Sequence, residues 1–187
     1  MNETLKAMET RFSCRNFNEA VPTDEELTLL AQAAIQSPSG MNRQCWQIIV
    51  VKDKNFIDEM NNEGMKILSE MPDSTLFERI NSRGGKLFYN APRMIVIAVK
   101  EAETKGAELL DCGIVAENIV IAAEALGLAS LHCGLLSVPL SGERAEEFKQ
   151  HLQFPEGYEC GIGILLGHTD NKVAPHVPDQ TKITIIE

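Results

Sequence analysis

Short apolar runs rich in β-branched residues predict the strands of this chain. The two clearest are Trp46–Val51 (WQIIVV) and Arg93–Lys100 (RMIVIAVK). Two more strands are predicted around residues 127–131 and 157–166, and residues 181–186 (TKITII) are a candidate for a fifth strand near the C-terminus.

Apolar residues at helical spacing predict the helices. The clearest start lies at Thr23, a capping residue followed by three acidic residues that suit the positive end of a helix dipole. Leu27 and Leu30 continue the helical stripe, and Pro38 and Gly40 end it. Further helices are predicted at residues 2–10, 55–71, 107–126 and 141–151.

The helix at 107–126 is apolar nearly all round, with Gly127 in the position of a C-cap. Such a helix lies in the centre of a core or between subunits. Ser141 is expected to cap the following helix, and the polar, turn-rich residues 72–86 are expected to be the most mobile segment. Because strands and helices mix without strict alternation, the sequence predicts one α+β domain over residues 1–187.

The composition fits a soluble domain and disfavours some classes of binding partner. The formal net charge of −10 at pH 7 disfavours nucleic acid and membrane surfaces, since both carry negative charge. The N-terminal residues lack a signal-peptide core, so a cytoplasmic location is expected. Five widely spaced cysteines without a Cys-x-x-Cys favour reduced thiols over disulfides or a metal site. A site for an anionic ligand must then be a local basic island.

The first candidate site is the N-terminal loop RFSCR. Arg11 and Arg15 each offer a planar fork of donors that matches phosphate oxygens, and Ser13 adds a neutral donor. Phe12 and Phe17 can anchor the loop in the core. On spacing alone, however, the two arginines fit a solvated surface pair as well as they fit a phosphate site.

The second candidate site is the segment 37–46 (SPSGMNRQCW), which joins a predicted helix to a buried strand. Its Ser, Asn and Gln side chains supply donors and acceptors that suit the imide edge of a flat heterocycle. Ser-Pro-Ser-Gly alone is also ordinary turn chemistry. That explanation fits less well once Asn42, Gln44 and Trp46 follow at once.

Together, Arg-x-Ser-x-Arg-x-Phe and Ser-Pro-Ser-Gly-x-Asn-x-Gln-x-Trp resemble the nitroreductase family of FMN-dependent enzymes. Later segments agree in order: Asn-Ala-Pro before Arg93–Lys100, Asp-Cys-Gly-x-x-x-Glu-Asn at 111–118, and Gly-x-Gly at 161–163. The resemblance covers nearly the whole chain. The two N-terminal blocks are its specific part.

The resemblance implies a fold and an assembly. The fold would be an α+β sandwich around a mainly antiparallel sheet flanked by helices. The chain would form an intertwined homodimer with FMN at the interface, held by residues of both subunits. Residues 181–186 would cross to add a strand to the partner's sheet, and the apolar helix at 107–126 would form much of the dimer core.

The resemblance also implies the cofactor-binding residues. The ribityl phosphate and the polar edge of the flavin would be held by Arg11, Phe12, Ser13 and Arg15. The flavin would be lined, from the other subunit, by Pro38, Ser39, Gly40, Asn42 and Gln44. The loop behind the isoalloxazine near N5 would be Leu131, His132, Cys133 and Gly134. The phosphate site would be closed by Gly167, His168 and Lys172.

Three positions depart from the family pattern. Cys45 stands where many members have proline, which changes only the approach of the chain to the strand. Only Lys172 is basic in the C-terminal phosphate region, so phosphate binding is expected to depend mainly on the two N-terminal arginines. His132-Cys133 is an unusual pairing, and a cysteine there could tune the flavin potential or merely pack. Adjacent strand residues point to opposite faces, so these two are not expected to form a nucleophile–base pair. Glu117 and Asn118 are expected to satisfy buried backbone or cross-interface partners.

The implied activity is that of an oxidoreductase. Hydride would pass from NADH or NADPH through flavin N5 to a small-molecule acceptor, such as a nitroaromatic or a quinone, in a ping-pong cycle. The flavin carries the chemistry, so no catalytic side chain is assigned. Three alternatives stay open: an FMN carrier or sensor without turnover, a specialised flavin reaction (dehalogenation or flavin fragmentation), and a flavin-free hydrolase or scaffold. Dehalogenation is disfavoured because Tyr89 and Tyr158 are both expected in the core.

Overall fold

The computed structural model describes residues 2–101 and 106–186. Its helices are α1 (Glu3–Thr10), α2 (Asp24–Ile35), α3 (Lys54–Glu70), α4 (Thr75–Asn81), α5 (Ala107–Ala125) and α6 (Ala145–His151). Its strands are β1 (Trp46–Val51), β2 (Arg93–Lys100), β3 (Ala129–Cys133) and β4 (Tyr158–Gly167). Strands β1 and β2 have the predicted bounds, because runs of β-branched residues fit a pleated, buried surface.

The four strands form one antiparallel sheet in the order β1-β2-β4-β3. Ile48 of β1 lies opposite Ile97 of β2, and Ile95 of β2 lies opposite Ile164 of β4. Strand β2 is central and buried on both faces. The predicted α+β fold with an antiparallel sheet flanked by helices is therefore confirmed.

Alternate residues of β2 belong to two hydrophobic clusters, one on each face of the sheet. Met94 and Val96 pack with Phe56 and Met60 of α3. The residues between them, such as Ile95, pack in the cluster built from α2 and α5. The sheet is thus covered by helices on both faces, as the period-2 alternation of side chains requires.

The start of α2 and the end of α5 lie at the residues that the sequence indicated, whereas α2 ends at Ile35, before Pro38. Thr23 and Glu26 form a capping box, with the Thr23 amide donating to the Glu26 carboxylate at 2.7 Å. At the end of α5, Gly127 has a φ of 75° and the amide of Leu128 donates to the Ala123 carbonyl at 2.8 Å. Among the helices within the two described ranges, none is long and apolar enough to cross a membrane.

Two local predictions were wrong. Residues 72–86 are not simply a turn-rich segment, since they contain α4, which Ile80 anchors by lying buried at 3% exposure. Ser141 does not cap α6; its hydroxyl donates instead to the Val138 carbonyl at 2.9 Å, and the helix begins at Ala145. A 3-10 turn at Pro139–Ser141 places the serine one turn too early to reach the amides of α6.

The predicted C-terminal strand does not form within the single chain. Gln180–Lys182 is a 3-10 turn, started by Asp179, whose carboxylate accepts from the Thr181 amide at 3.0 Å. Ile183, Ile185 and Ile186 are 66%, 83% and 91% exposed. A strand needs a neighbour for its backbone hydrogen bonds, and this chain's own sheet supplies none there.

Candidate functional site

The N-terminal loop crosses the outer edge of β3. Ser13 forms a parallel bridge with Ser130, and the Cys14 amide donates to the Ser130 carbonyl at 2.9 Å. Phe17 is buried and Phe12 packs against the same cluster. The loop is therefore fixed to the sheet by its backbone and to the core by the two phenylalanines that the sequence indicated.

The same loop is tied to the segment that follows β4. The amide of Asn18 donates to the His168 carbonyl at 2.9 Å, and the Thr169 hydroxyl donates to the Asn16 carbonyl at 2.7 Å. Exposed Lys172 follows this junction in the chain. Two of the four predicted groups, distant in sequence, thus meet on one surface.

Gly167 has a packing role at this junction. A Cβ atom there would lie 2.7 Å from the Phe17 ring and 2.9 Å from the Cδ atom of Pro92. Contacts this short are not tolerated by a real side chain. Gly167 therefore allows β4 to pass beneath the N-terminal loop.

Arg11 is held by an acidic partner on α5. Its Nε atom donates to Oε1 of Glu117 at 3.1 Å, and the other carboxylate oxygen lies 3.7 Å from Nε2 of His132. Within residues 2–101 and 106–186, the two terminal nitrogens of Arg11 have no hydrogen-bond partner. Within the single chain, Glu117 therefore pairs with two side chains, Arg11 and His132, rather than with buried backbone.

A surface cleft of about 480 Å³ lies beside this ion pair. Arg11 and Ser13 line one side of it, and Val173 and His176 line the other. The cleft joins the predicted cationic loop to the chain after β4. It has the cation and the hydroxyl that a phosphate requires.

His132 and Cys133 face opposite sides of β3. His132 lies near Glu117, and burial lowers the pKa of its imidazole while the Glu117 charge partly opposes that shift. Cys133 packs in the cluster on the other face, where burial raises the pKa of its thiol to about 11. The thiol is therefore protonated at neutral pH, and the two residues do not form a nucleophile–base pair.

A second cleft, of about 240 Å³, brings together the loop at 131–134 and Arg15. Its remaining wall contains Arg79, Arg83 and Tyr89. Tyr89, with a φ of 48°, is half-buried: it packs against the core cluster and also lines this cleft. Its exposure to the cleft weakens the argument against dehalogenation, which placed Tyr89 wholly in the core.

Arg79 and Arg83 were not among the predicted site residues. A signal was present, since residues 79–93 (RINSRGGKLFYNAPR) hold four basic residues and no acidic one in a chain of net charge −10. A stretch with such a charge bias is a local basic island of the kind that an anion site needs.

The loop at 38–44 occupies a different position, fixed to α5. The Gly40 amide donates to both carboxylate oxygens of Asp111 at 3.3 Å. The Asn118 side-chain amide donates to the Ser37 hydroxyl at 2.8 Å. Arg43 pairs with the nearly buried carboxylate of Glu108 at 3.4 Å. Asn118 therefore also has a side-chain partner in its own chain.

This loop carries backbone strain. Met41, Asn42 and Gln44 have φ values of 53°, 55° and 49°, in the left-handed region that non-glycine residues seldom adopt. Each such residue costs on the order of 1 kcal/mol or more. The Ser39 hydroxyl accepts from the Gln44 amide at 2.9 Å and helps to hold the conformation.

The loop at 38–44 makes no direct polar contact with the N-terminal loop among the described residues of the single chain, since no hydrogen bond or ion pair links residues 38–44 to residues 11–15. Backbone contacts and clefts of the single chain connect the groups at 11–15, 131–134 and 167–172, and the loop at 38–44 does not line those clefts.

Comparisons with known proteins point to one family. Residues 8–168 match the model described as "Nitroreductase family". A solved nitroreductase with bound FMN from Desulfitobacterium hafniense DCB-2 is 50% identical, with 100% of both chains covered and a TM-score of 0.96. A nitroreductase with bound FMN from Bacteroides fragilis NCTC 9343 is 24% identical, again with both chains fully covered, and has a TM-score of 0.90. The NADPH-flavin oxidoreductase of Vibrio harveyi is 28% identical over 185 residues, which is 95% of this chain and 71% of that protein.

Proposed function

The chain belongs to the nitroreductase family, and on that premise we propose that it is an NAD(P)H-dependent oxidoreductase that binds FMN. The family predicted from the two N-terminal blocks is confirmed. The single observation that carries the proposal is the meeting of Arg11, Ser13 and the chain after β4 around one cleft in an otherwise acidic protein.

The donors present fit FMN. Arg11 and Ser13, which line the first cleft, suit a phosphate ester, and Arg15, which lines the second cleft, suits the polar edge of the flavin. Arg11 is oriented through Nε, so its terminal nitrogens remain available to the phosphate oxygens. The side-chain amides of Asn42 and Gln44 supply the mixed donors and acceptors that an imide edge needs.

FMN, when bound, supplies the redox chemistry, in which two electrons and a proton pass as hydride from NAD(P)H and then to a small acceptor such as a nitroaromatic or a quinone. The chain contributes binding and orientation. Cys133 offers a neutral thiol rather than a charge, because its pKa is raised to about 11 by burial. No side chain is assigned as a catalytic acid or base, and a cytoplasmic setting suits the proposed donor.

We further propose a homodimer in which the C-terminal segment of each copy pairs with β1 of the other. The outer edge of β3 is taken by Ser13, whereas no strand of the described residues pairs with the outer edge of β1. A groove of about 400 Å³ runs along that open edge. An open strand edge next to a groove accepts an added strand readily, and Ile183, Ile185 and Ile186 are exposed.

Helix α5 supports the same assembly. Leu109 and Leu110, in the first turn of α5, are 52% and 69% exposed in the single chain, whereas Val115, Ile119 and Ala123 of the same helix are packed on the sheet. A second copy would bury this apolar surface. It would also bring the loop at 38–44 to the partner's N-terminal loop.

Removing residues 180–187 tests this dimer. The truncated chain should sediment as a monomer, or as a weaker dimer that dissociates at a much higher protein concentration, because the added strand is lost. Val177→Ser is a matched control, since Val177 is 86% exposed yet lies before the segment. A truncated protein that sediments as the same stable dimer would exclude the strand exchange.

The visible spectrum of freshly purified protein, before and after NADH is added without oxygen, tests the activity. The proposal expects a yellow protein whose colour bleaches rapidly and returns when a quinone is added. A colour that persists with both NADH and NADPH would indicate a carrier or sensor. A colourless protein that does not take up FMN would leave a flavin-free function.

A further inference from the structure

The wall of the second cleft is a rigid one. Arg79 lies in the last turn of α4, and Arg83 lies just beyond its end. Between them, Ile80 is 3% exposed, and its carbonyl accepts from the Arg83 amide at 3.0 Å. Both arginines are exposed at the cleft surface while the residue between them is anchored in the core.

The positive charge of this cleft is uncompensated within the chain. Among the described residues, neither Arg79 nor Arg83 has an ion pair or a side-chain hydrogen bond, and the cleft lining contains no carboxylate. Arg15, the third arginine there, donates only to the Ser13 carbonyl, at 3.3 Å. The acidic residue nearest in sequence, Glu78, accepts instead from the Ser74 hydroxyl.

A cleft lined by arginines without carboxylate partners among the described residues is unusual in a protein with an excess of acidic residues. The chain has 27 acidic and 17 basic residues, and other arginines do find carboxylates, as Arg11, Arg43 and Arg144 show. Three unpaired guanidinium groups around one small cleft are therefore a feature that an anionic ligand would stabilise.

We propose that Arg79 and Arg83 bind an anionic group, a carboxylate or a phosphate, of the substrate that enters beside the loop at 131–134. This inference rests on the proposed function, which assigns the N-terminal arginines to the cofactor and so leaves the α4 pair for a second ligand. The anionic group belongs either to the electron acceptor or to the dinucleotide donor. The planar fork of arginine suits both groups.

The test uses the FMN-loaded double variant Arg79→Gln/Arg83→Gln. KM is measured for 4-nitrobenzoate and for its neutral counterpart 4-nitrobenzamide, and for NADPH and NADH. We expect KM for the carboxylate acceptor, or for the dinucleotide donors, to rise roughly tenfold or more while KM for the amide stays within about twofold. Arg144→Gln is the control, because Arg144 is a half-buried arginine that does not line the cleft and is paired with Glu59 and Glu147.

A binding measurement without turnover separates this proposal from the activity. Benzoate and benzamide are titrated into FMN-loaded protein by calorimetry, and FMN affinity is measured for each variant. Tighter binding of benzoate than benzamide, lost in the double variant, supports the proposal even if no acceptor is turned over. An equal change for charged and neutral ligands, no change at all, or a loss confined to FMN affinity would overturn it.

Discussion

Arg11 and Arg15 stand four residues apart in one loop, yet their surroundings differ. Arg11 is half-buried, and Glu117 holds its Nε atom at 3.1 Å. Arg15 is exposed and bonds only to the carbonyl of Ser13 in its own loop. Of these two loop cations, only Arg11 has a fixed direction, because a residue from another element orients it.

That difference has energetic consequences. An arginine already ordered by its own protein loses less side-chain entropy when it binds a ligand. The negative charge of Glu117 offsets part of this advantage, because it lies near the proposed phosphate. Arg11 should therefore provide directed hydrogen bonds, whereas Arg15 should mainly provide charge.

The largest expected effect separates the two arginines. Arg11→Ala should weaken FMN binding by about 10- to 100-fold, because it removes charge-assisted hydrogen bonds and leaves Glu117 unpaired nearby. Arg15→Ala should cost less, since an exposed and flexible side chain contributes less. Fluorescence titration of apo-protein with FMN measures both, with Arg144→Ala as the control. A greater loss from Arg15→Ala would reverse the comparison.

A smaller effect is expected at Glu117, where two variants separate charge from position. Glu117→Gln keeps an oxygen acceptor for Arg11 but removes the negative charge, so FMN binding should be unchanged or up to about threefold tighter. Glu117→Leu removes the acceptor as well, so FMN binding should be weaker than in the glutamine variant. The same titration applies. Equal affinities for the two variants would show that Glu117 does not position Arg11.

The smallest effect concerns pH. Burial lowers the pKa of His132 in the folded state, so the unfolded chain takes up the proton more readily. Its contribution to stability is therefore complete above the unfolded pKa of about 6.5 and declines as the pH falls below that value. Urea unfolding at pH 7.5 and 5.5 should show a decline that is smaller in His132→Gln. An identical decline in both proteins would assign the pH dependence to other groups.

Much of the fold could be predicted from local pattern. Strands β1 and β2 were bounded correctly, because their β-branched runs leave few alternatives. Helix α4 was missed because polar residues outnumber the apolar ones that anchor it, of which Ile80 is buried. The C-terminal isoleucines show no strand because their pairing depends on a neighbour that a single chain does not contain.

The site was predictable in part. The motif at 11–15 predicted which residues belong to the site, but it did not predict that Glu117 orients Arg11 and leaves Arg15 without an acidic partner in the described part of the chain. Contacts between residues more than 100 positions apart leave no local pattern in a sequence. Arg79 and Arg83, by contrast, lie in a local pattern that the composition shows: residues 79–93 contain four basic residues and no acidic residue.

Comparing the affinity for FMN with the affinity for riboflavin tests whether the N-terminal loop binds the phosphate of FMN. The two ligands differ only in that phosphate. Equilibrium titration of apo-protein should show FMN binding at least about tenfold more tightly than riboflavin, with the ratio falling sharply in Arg11→Ala. Equal affinity for FMN and riboflavin in the unaltered protein would contradict the account.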